Sequence, residues 1–299
     1  MKRALRFGHF GLLPIMLGIA AAGSARTVPP PQPKVELPSE GVIPLFQSDN
    51  RVLVMMRIGD GDPLPMVFDT GSDGHSVDNT MVKRYKLKRI GDSIERDGTT
   101  GKERTLPFVA MDNVTLGGLK VGTLQASALD YDRNDAMGII SSEMFTNSLV
   151  YLELGKNRVR LKPRDTTLPP ASPAVPYVRD IPTIDIVMPD GTTMPAHFDT
   201  GYNAALSLPI EMMDKVPLMA PPKIVGRFKS INTEGDVYGG RVRGSIRIGP
   251  VTLENPDISF LGDLANIGLP VIRQITLVID PAQNRSWVLD PKVVTDTGK

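Results

Sequence analysis

The sequence has no cysteine, a single tryptophan and three histidines. The missing cysteine excludes disulfides, thiolate metal sites, a cysteine nucleophile and a lipid-modified N-terminal cysteine together. The histidines show no His-x-x-x-His spacing, so no zincin-type metal motif is present. An excess of one charge is also lacking: 34 Lys and Arg stand against 33 Asp and Glu. That balance gives no reason to expect nucleic acid as a partner. No phosphate-binding glycine loop and no serine-elbow motif occur.

Long apolar runs are absent too, except at the N-terminus. Lys2, Arg3 and Arg6 form a basic region, an apolar stretch runs from Phe10 to Ala22, and Gly23-Ser24-Ala25 supplies small residues. This order predicts a secretory signal peptide over residues 1–25. The run is about 13 residues and contains Pro14, too short to span a bilayer comfortably; an uncleaved N-terminal anchor is the alternative. Removal of the three N-terminal basic residues turns the net charge from +1 to −2. A periplasmic or secreted product with no stable membrane insertion is expected.

What the chain has in quantity is glycine, 28 residues, and proline, 27. Prolines crowd residues 26–42, read as an extended leader, and residues 163–176, read as a linker. They leave two segments of similar length, 43–162 and 177–290, and a short tail, 291–299. Equal halves invite a search for a repeat. Pro65-Met66-Val67-Phe68-Asp69-Thr70-Gly71 recurs 130 positions on as Pro195-Ala196-His197-Phe198-Asp199-Thr200-Gly201. Ile43-Pro44 pairs with Val175-Pro176, Val114 to Gly117 with Ile246 to Gly249, and Met137-Gly138-Ile139 with Ile267-Gly268-Leu269. Each half closes on alternating apolar residues around a turn: Val150, Leu152, Leu154, then Val159 and Leu161; Ile275, Leu277, Ile279, then Trp287 and Leu289. Period-two alternation with Gly, Asn and Pro turns predicts antiparallel strands. Helices are expected only at about 79–86 and 209–216, the second opening on Pro209.

An apolar strand that delivers Asp-Thr-Gly, twice, in two similar halves, resembles the aspartic peptidases of the pepsin and retropepsin type. The resemblance covers residues 43–290 and is closest from Ile267 to Arg285; the short halves look like tandem retropepsin units of exported bacterial relatives. It implies an all-β, pepsin-like bilobal architecture, with two retropepsin-like lobes related by a pseudo-two-fold axis. It also implies that Asp69 and Asp199 meet on that axis and share one activated water. Two carboxylates about 3 Å apart cannot both ionise cheaply, so a proton is held between them. The ionised member can take a proton from water while the protonated one polarises a peptide carbonyl. Thr70 and Thr200 can hydrogen-bond across the two loops, and Gly71 and Gly201, lacking Cβ, admit a close approach to the carboxylates. Phe68 and Phe198 are expected beneath the loops.

Some positions depart from the family pattern. Ser72 follows the first tripeptide, as often in pepsin-like enzymes, but Tyr202 follows the second and bears on the tuning of Asp199 and on substrate access. Gly138-Ile139-Ile140-Ser141 has serine where many relatives carry a second glycine. A covering flap is expected from a Gly-containing hairpin, either Gly98 to Gly101 or Gly235 to Gly240, with Tyr238 as a possible flap aromatic. A third Asp-Thr-Gly, at 296–298, has no room for the strand that should follow and reads as coincidence. Asp130, Asp132, Asn134 and Asp135 form an acidic turn that lacks the Gly and Glu of a calcium loop. His75 and His197 read as strand or loop residues beside the cleft.

The expected activity is that of an exported aspartic endopeptidase acting, as a monomer, on peptides or unfolded protein without metal or cofactor. Two alternatives stand: a non-catalytic peptide-binding protein on the same scaffold, and pairing of lobes between chains.

Overall fold

The computed structural model describes residues 40–96, 102–131, 135–164, 169, 174–177, 181–229 and 234–292. The signal region, most of the leader and linker, the tail and Gly98 to Gly101 lie outside the described residues.

The fold is nearly all β. The first half contributes β1 (Gly41–Gln47), β2 (Val52–Ile58), β3 (Leu64–Asp69), β4 (Ser76–Asp78), α1 (Asn79–Arg84), β5 (Lys88–Arg96) and β6 (Glu103–Leu116). It continues with β7 (Leu119–Leu129), β8 (Gly138–Ser141), β9 (Ser148–Glu153) and β10 (Arg158–Pro163). The second half begins with β11 (Val175–Pro176), β12 (Thr183–Val187), β13 (Thr193–Phe198), β14 (Leu206–Leu208), β15 (Lys223–Lys229) and β16 (Glu234–Arg241). Then come β17 (Ser245–Ile248), β18 (Val251–Glu254), β19 (Asp257–Phe260), β20 (Asn266–Ile267), α2 (Leu269–Ile272), β21 (Thr276–Asp280) and β22 (Arg285–Leu289).

In the first lobe β2, β3, β8, β4, β7 and β6 pair in that order, and β2 returns to β6 at Met56↔Leu116, closing a barrel. Phe68, Val77, Val109, Leu124 and Ile140 fill it and are buried. The second lobe repeats the order β13-β20-β14-β19-β16. There, the counterpart of the long β6 is broken into β16 and β17.

Between the lobes runs a six-strand segment, β11-β22-β21-β9-β10-β1. Its centre is self-complementary. Tyr151 pairs with Val278, Leu152 with Leu277 and Val150 with Ile279. A half-turn about the centre of this pairing therefore exchanges equivalent residues, which places the pseudo-two-fold axis at Tyr151↔Val278. Every residue of β9 and β21 is buried, because both faces of these central strands are covered. The alternation seen in the sequence thus sets which of two apolar layers each side chain enters: Val150, Leu152, Leu277 and Ile279 join the core shared by both lobes, and Leu149, Tyr151 and Val278 join a separate cluster with Trp287 and Leu289. Both strands end on a buried acid: Glu153 is held by Arg158 at 2.7 Å and Arg160 at 3.2 Å, and Asp280 by Arg164 at 2.9 Å and Arg285 at 3.0 Å. Both hairpins then turn through an asparagine with positive φ, Asn157 and Asn284.

Two expectations need correction. Helix α1 forms, capped by Asp78, whose carboxylate accepts the Thr80 N–H at 2.8 Å, and carries Lys83 and Arg84 in its last turn. The second expected helix is a single 3-10 turn over Ile210–Met212. Pro209 sits before it with extended backbone and no capping side chain, and Pro217 bars continuation. The repeat register also changes along the chain. Phe68 pairs with Ile140 and Phe198 with Ile267, so Gly268 occupies the place of Ser141, not that of Gly138. The segment between β7 and β8 is longer than its counterpart between β19 and β20, and the offset, 130 at the aspartates, falls to 127.

Candidate active site

Strands β3 and β13 each end at the lobe junction, and the Asp-Thr-Gly loops that follow are interlocked. The Thr70 N–H donates to Thr200 Oγ1 at 3.0 Å, and the Thr200 N–H donates to Thr70 Oγ1 at 3.2 Å. Each hydroxyl then donates to the opposite strand: Thr70 Oγ1 to the Phe198 carbonyl at 2.7 Å, Thr200 Oγ1 to the Phe68 carbonyl at 2.6 Å. Both threonines are fully buried, and Phe68 and Phe198 are buried beneath them. Four bonds of this kind fix the two loops in one relative position, because breaking any would orphan a buried group.

The grip sets the carboxyls side by side. Each Asp accepts the N–H of its own loop glycine, Gly71 to Asp69 and Gly201 to Asp199, both at 2.8 Å. A Cβ on Gly71 would stand 2.6 Å from Asp199 Cγ, and one on Gly201 would stand 2.8 Å from Asp69 Oδ2. Only glycine fits at either place. The two carboxyls are within hydrogen-bonding reach of each other, deep in the junction yet still partly open to solvent.

Burial pushes both carboxyls above the ordinary range, Asp199 well above it, where the neighbouring Asp69 charge adds to desolvation. The glycine N–H groups pull in the opposite direction, and Arg51 also lowers Asp69. The pair therefore holds a proton at pH values where isolated carboxylates have none. Arg51 bonds ionically to Asp135 at 3.3 Å. Its place in the second lobe is taken by Ile181, so the charge around the dyad is asymmetric.

Behind the dyad the two loops are braced differently. In the second lobe Gly268 donates its N–H to the Ala205 carbonyl at 3.0 Å, and Leu269 donates to the Tyr202 carbonyl at 3.0 Å. In the first lobe the Ser141 N–H donates to His75 Nδ1 at 3.1 Å, and Ser141 Oγ donates to the Ser72 carbonyl at 2.5 Å. Ser72 itself donates through Oγ to the Gly74 carbonyl at 2.8 Å. His75 is buried, and desolvation lowers its pKa to about 4, so it stays neutral and accepts. Sequence reasoning placed His75 beside the cleft without assigning it this bond; the partner lies 66 residues away.

Tyr202 does not stand over the carboxyls. Its ring lies against Gly268, and its buried hydroxyl sits beside Ser207 and Ser259, where burial raises its pKa. Gly235 to Gly240, one of the two flap candidates, are strand residues of β16, which pairs antiparallel with β15; residues 230–233 lie outside the described residues. Tyr238 lies in that strand, opposite Phe260, and lines a cavity of about 390 Å³ with Ile210, Phe228 and Leu261. Gly98 and Gly101, the other candidates, fall between β5 and β6 in the chain and lie outside the described residues. Among the described residues no group of three or more His, Asp or Glu side chains is placed to hold a metal ion.

Residues 54–144, which run from β2 through the first Asp-Thr-Gly loop to the turn after β8, match the family model described as Aspartyl protease. A comparison with curated proteins finds no match. With two interlocked Asp-Thr-Gly loops in one bilobal all-β chain, the protein is similar to the aspartic peptidases, and that similarity supports a function of the protease type.

Proposed function

We propose that the protein is an exported aspartic endopeptidase in which Asp69 and Asp199 activate one water for attack on a peptide bond. The observation that carries this reading is the pair of carboxyls held together by the threonine grip, both raised in pKa by burial. One ionised carboxylate takes a proton from water as the oxygen attacks the carbonyl carbon. The protonated partner donates to the carbonyl oxygen, giving a neutral tetrahedral diol. Collapse breaks the C–N bond, with a proton passed to the leaving nitrogen, and the dyad again shares one proton. Gly71 and Gly201 leave room for this geometry, and Thr70, Thr200 and Ser72 hold the loops.

Export is supported by the N-terminal pattern, and N-terminal sequencing should find the chain beginning near Arg26. The substrate is a peptide or unfolded chain, and both dyad members come from one chain, which favours a monomer. The test is cleavage of a random peptide pool by purified protein across acid and neutral pH. Asp69→Asn and Asp199→Asn should each remove nearly all hydrolysis, since parts that act as a unit lose function together. Full activity in either variant would sink the mechanism. Peptide binding with no cleavage under any condition would establish a binding scaffold instead.

A further inference from the structure

In a β-sheet, residues paired in register project to the same face. From Asp69 the pairing runs to Ser141, and within the same strands Val67 pairs with Ile139. Ile139 pairs with Ser76, and Ser76 with Ser127. Asp69, Ser76 and Ser127 therefore share one face of the first lobe. The opposite face carries Phe68, Val77, Ala128 and Ile140, all in the barrel core. The dyad's face is thus the outer, cleft-side face, and Ser127 lies on it about 16 Å from Asp69, three strand spacings across and two residues along.

At that distance polar groups join the buried Leu106 and Phe108 on the face. The β5–β6 hairpin curls over so that Ser93 Oγ lies 2.6 Å from Ser127 Oγ, and Ser127 Oγ also donates to the Glu95 carboxylate. Glu95 is half-buried and makes no ion pair among the described residues; Arg104, across the hairpin from it, is exposed. Ser76 Oγ, in register beside Ser127, is more than nine-tenths buried and has no hydrogen-bond partner among the described residues. A half-buried carboxylate whose one hydrogen bond among the described residues comes from a neutral hydroxyl, with its in-register neighbour Arg104 exposed and not ion-paired to it, is open to a further cationic donor.

The second lobe shows that the fold does not require this. Ser207 and Ser259 pair as Ser76 and Ser127 do, on the face of Asp199. The strand positions that correspond to Ser93 and Glu95 are Gly226 and Phe228. Phe228 lines the second-lobe cavity instead, where the acidic groups are Asp236 and Asp263 from other positions.

We infer that Glu95, with Ser76 and Ser127, forms a subsite on the first-lobe side of the cleft that takes a lysine or arginine side chain of the substrate. The inference rests on the peptidase reading above for its cleavage test, and on equilibrium binding for a test that does not. An extended peptide advances about 3.4 Å per residue, so a long cationic side chain two to four residues from the cleaved bond reaches Glu95.

The experiment uses peptides identical except for one residue, Lys, Arg, Glu or Met, placed in turn at each of four positions on either side of the cleaved bond. At one position Lys and Arg should raise kcat/KM tenfold or more over Met, the worth of a hydrogen bond to a charged group. Glu95→Gln should bring that ratio close to one, and Glu95→Lys should reverse it in favour of a Glu peptide. Glu103→Gln, which removes an exposed charge from the neighbouring face of the same hairpin, should keep the ratio. Cleavage with no preference for a cation at any position, or a preference that survives Glu95→Gln, overturns the subsite and leaves the peptidase reading standing. If nothing is cleaved, fluorescence anisotropy of the labelled Lys and Met peptides decides the subsite alone. Tighter binding of the Lys peptide that is lost in Glu95→Gln supports it, and equal binding rejects it.

Discussion

The two lobes meet on one pair of symmetric loops but brace them with different chemistry. On the dyad itself the halves are interchangeable: each threonine accepts one N–H and donates to one carbonyl of the other lobe. One layer back they diverge. The second lobe braces its loop with backbone carbonyls packed tightly against Gly268, whereas the first uses a buried imidazole and a serine hydroxyl. The symmetry that chemistry at the dyad needs is retained, and the layer that merely supports it has been free to change. The support is nonetheless specific, since each brace satisfies buried groups that have no other partner within reach.

That comparison can be broken most sharply at the equivalent positions Gly268 and Ser141. A Cβ at Gly268 would stand 2.0 Å from the Ala204 carbonyl oxygen, so Gly268→Ala should cost about 4 kcal/mol or prevent folding. Ser141→Ala adds no atom and should cost only about 2 kcal/mol, for the bond its hydroxyl donates to Ser72 and the one it accepts from the Glu143 N–H. Urea unfolding of both variants measures the difference; equal losses would show that the two braces are not asymmetric in the way described.

The threonine grip should respond symmetrically. Thr70→Val and Thr200→Val each orphan one buried N–H and one buried carbonyl, so each should cost about 3 kcal/mol. The double variant should cost less than the sum, because both act on the same four bonds. Additive losses would mean that the loops do not depend on each other.

His75 sharpens the comparison through pH. Its pKa falls from 6.5 in the unfolded chain to about 4 when folded, so between those values the unfolded state binds more protons. Stability is then full above pH 6.5 and declines as pH falls through 4, by up to about 3 kcal/mol. Glu153 acts in the same direction: its arginine partners lower its pKa, so its contribution is present above the ordinary carboxylate range and is lost as pH falls through the lowered value. Because Asp199 is raised by burial, it works the other way and favours the folded state toward acid. Thermal unfolding from pH 7 to pH 4 should therefore show a smaller acid loss in His75→Gln than in the native chain. An unchanged profile would dismiss the imidazole as the acid-sensitive brace.

The smallest effect concerns charge beside the dyad. Arg51 lowers Asp69 and has an isoleucine, Ile181, as its counterpart. Arg51→Met should move the acid limb of the pH–rate profile upward by a fraction of a pH unit, while Ile181→Val leaves it in place. A limb that does not move would mean that solvent screens the guanidinium.

Much of this was legible in the chain itself. The duplicated Asp-Thr-Gly after an apolar strand announced two β lobes, because strand alternation and the glycine requirement are local and survive in the residue order. Phe68 and Phe198 beneath the loops, α1 after the first loop, and the closing hairpins follow from the same local rules. The equivalence of Gly138 and Gly268 did not hold, since a motif match counts residues along the chain while strand pairing counts them across it. Tyr202 looked like an obstacle to the cleft until its hydroxyl was found beside Ser207 and Ser259.

The sequence alone thus determined the strands, their duplication and the two aspartates, for these depend on neighbours a few residues apart. Only the tertiary structure decided that the carboxyls lie side by side, that Ser141 leans on His75, and that Glu95 shares a face with Asp69. Each of those facts joins residues 32 to 130 positions apart, as Ser127 is joined to Glu95, Ser141 to His75 and Thr70 to Thr200. Contacts at such separation are set by how whole strands pack and register, and no local pattern records them.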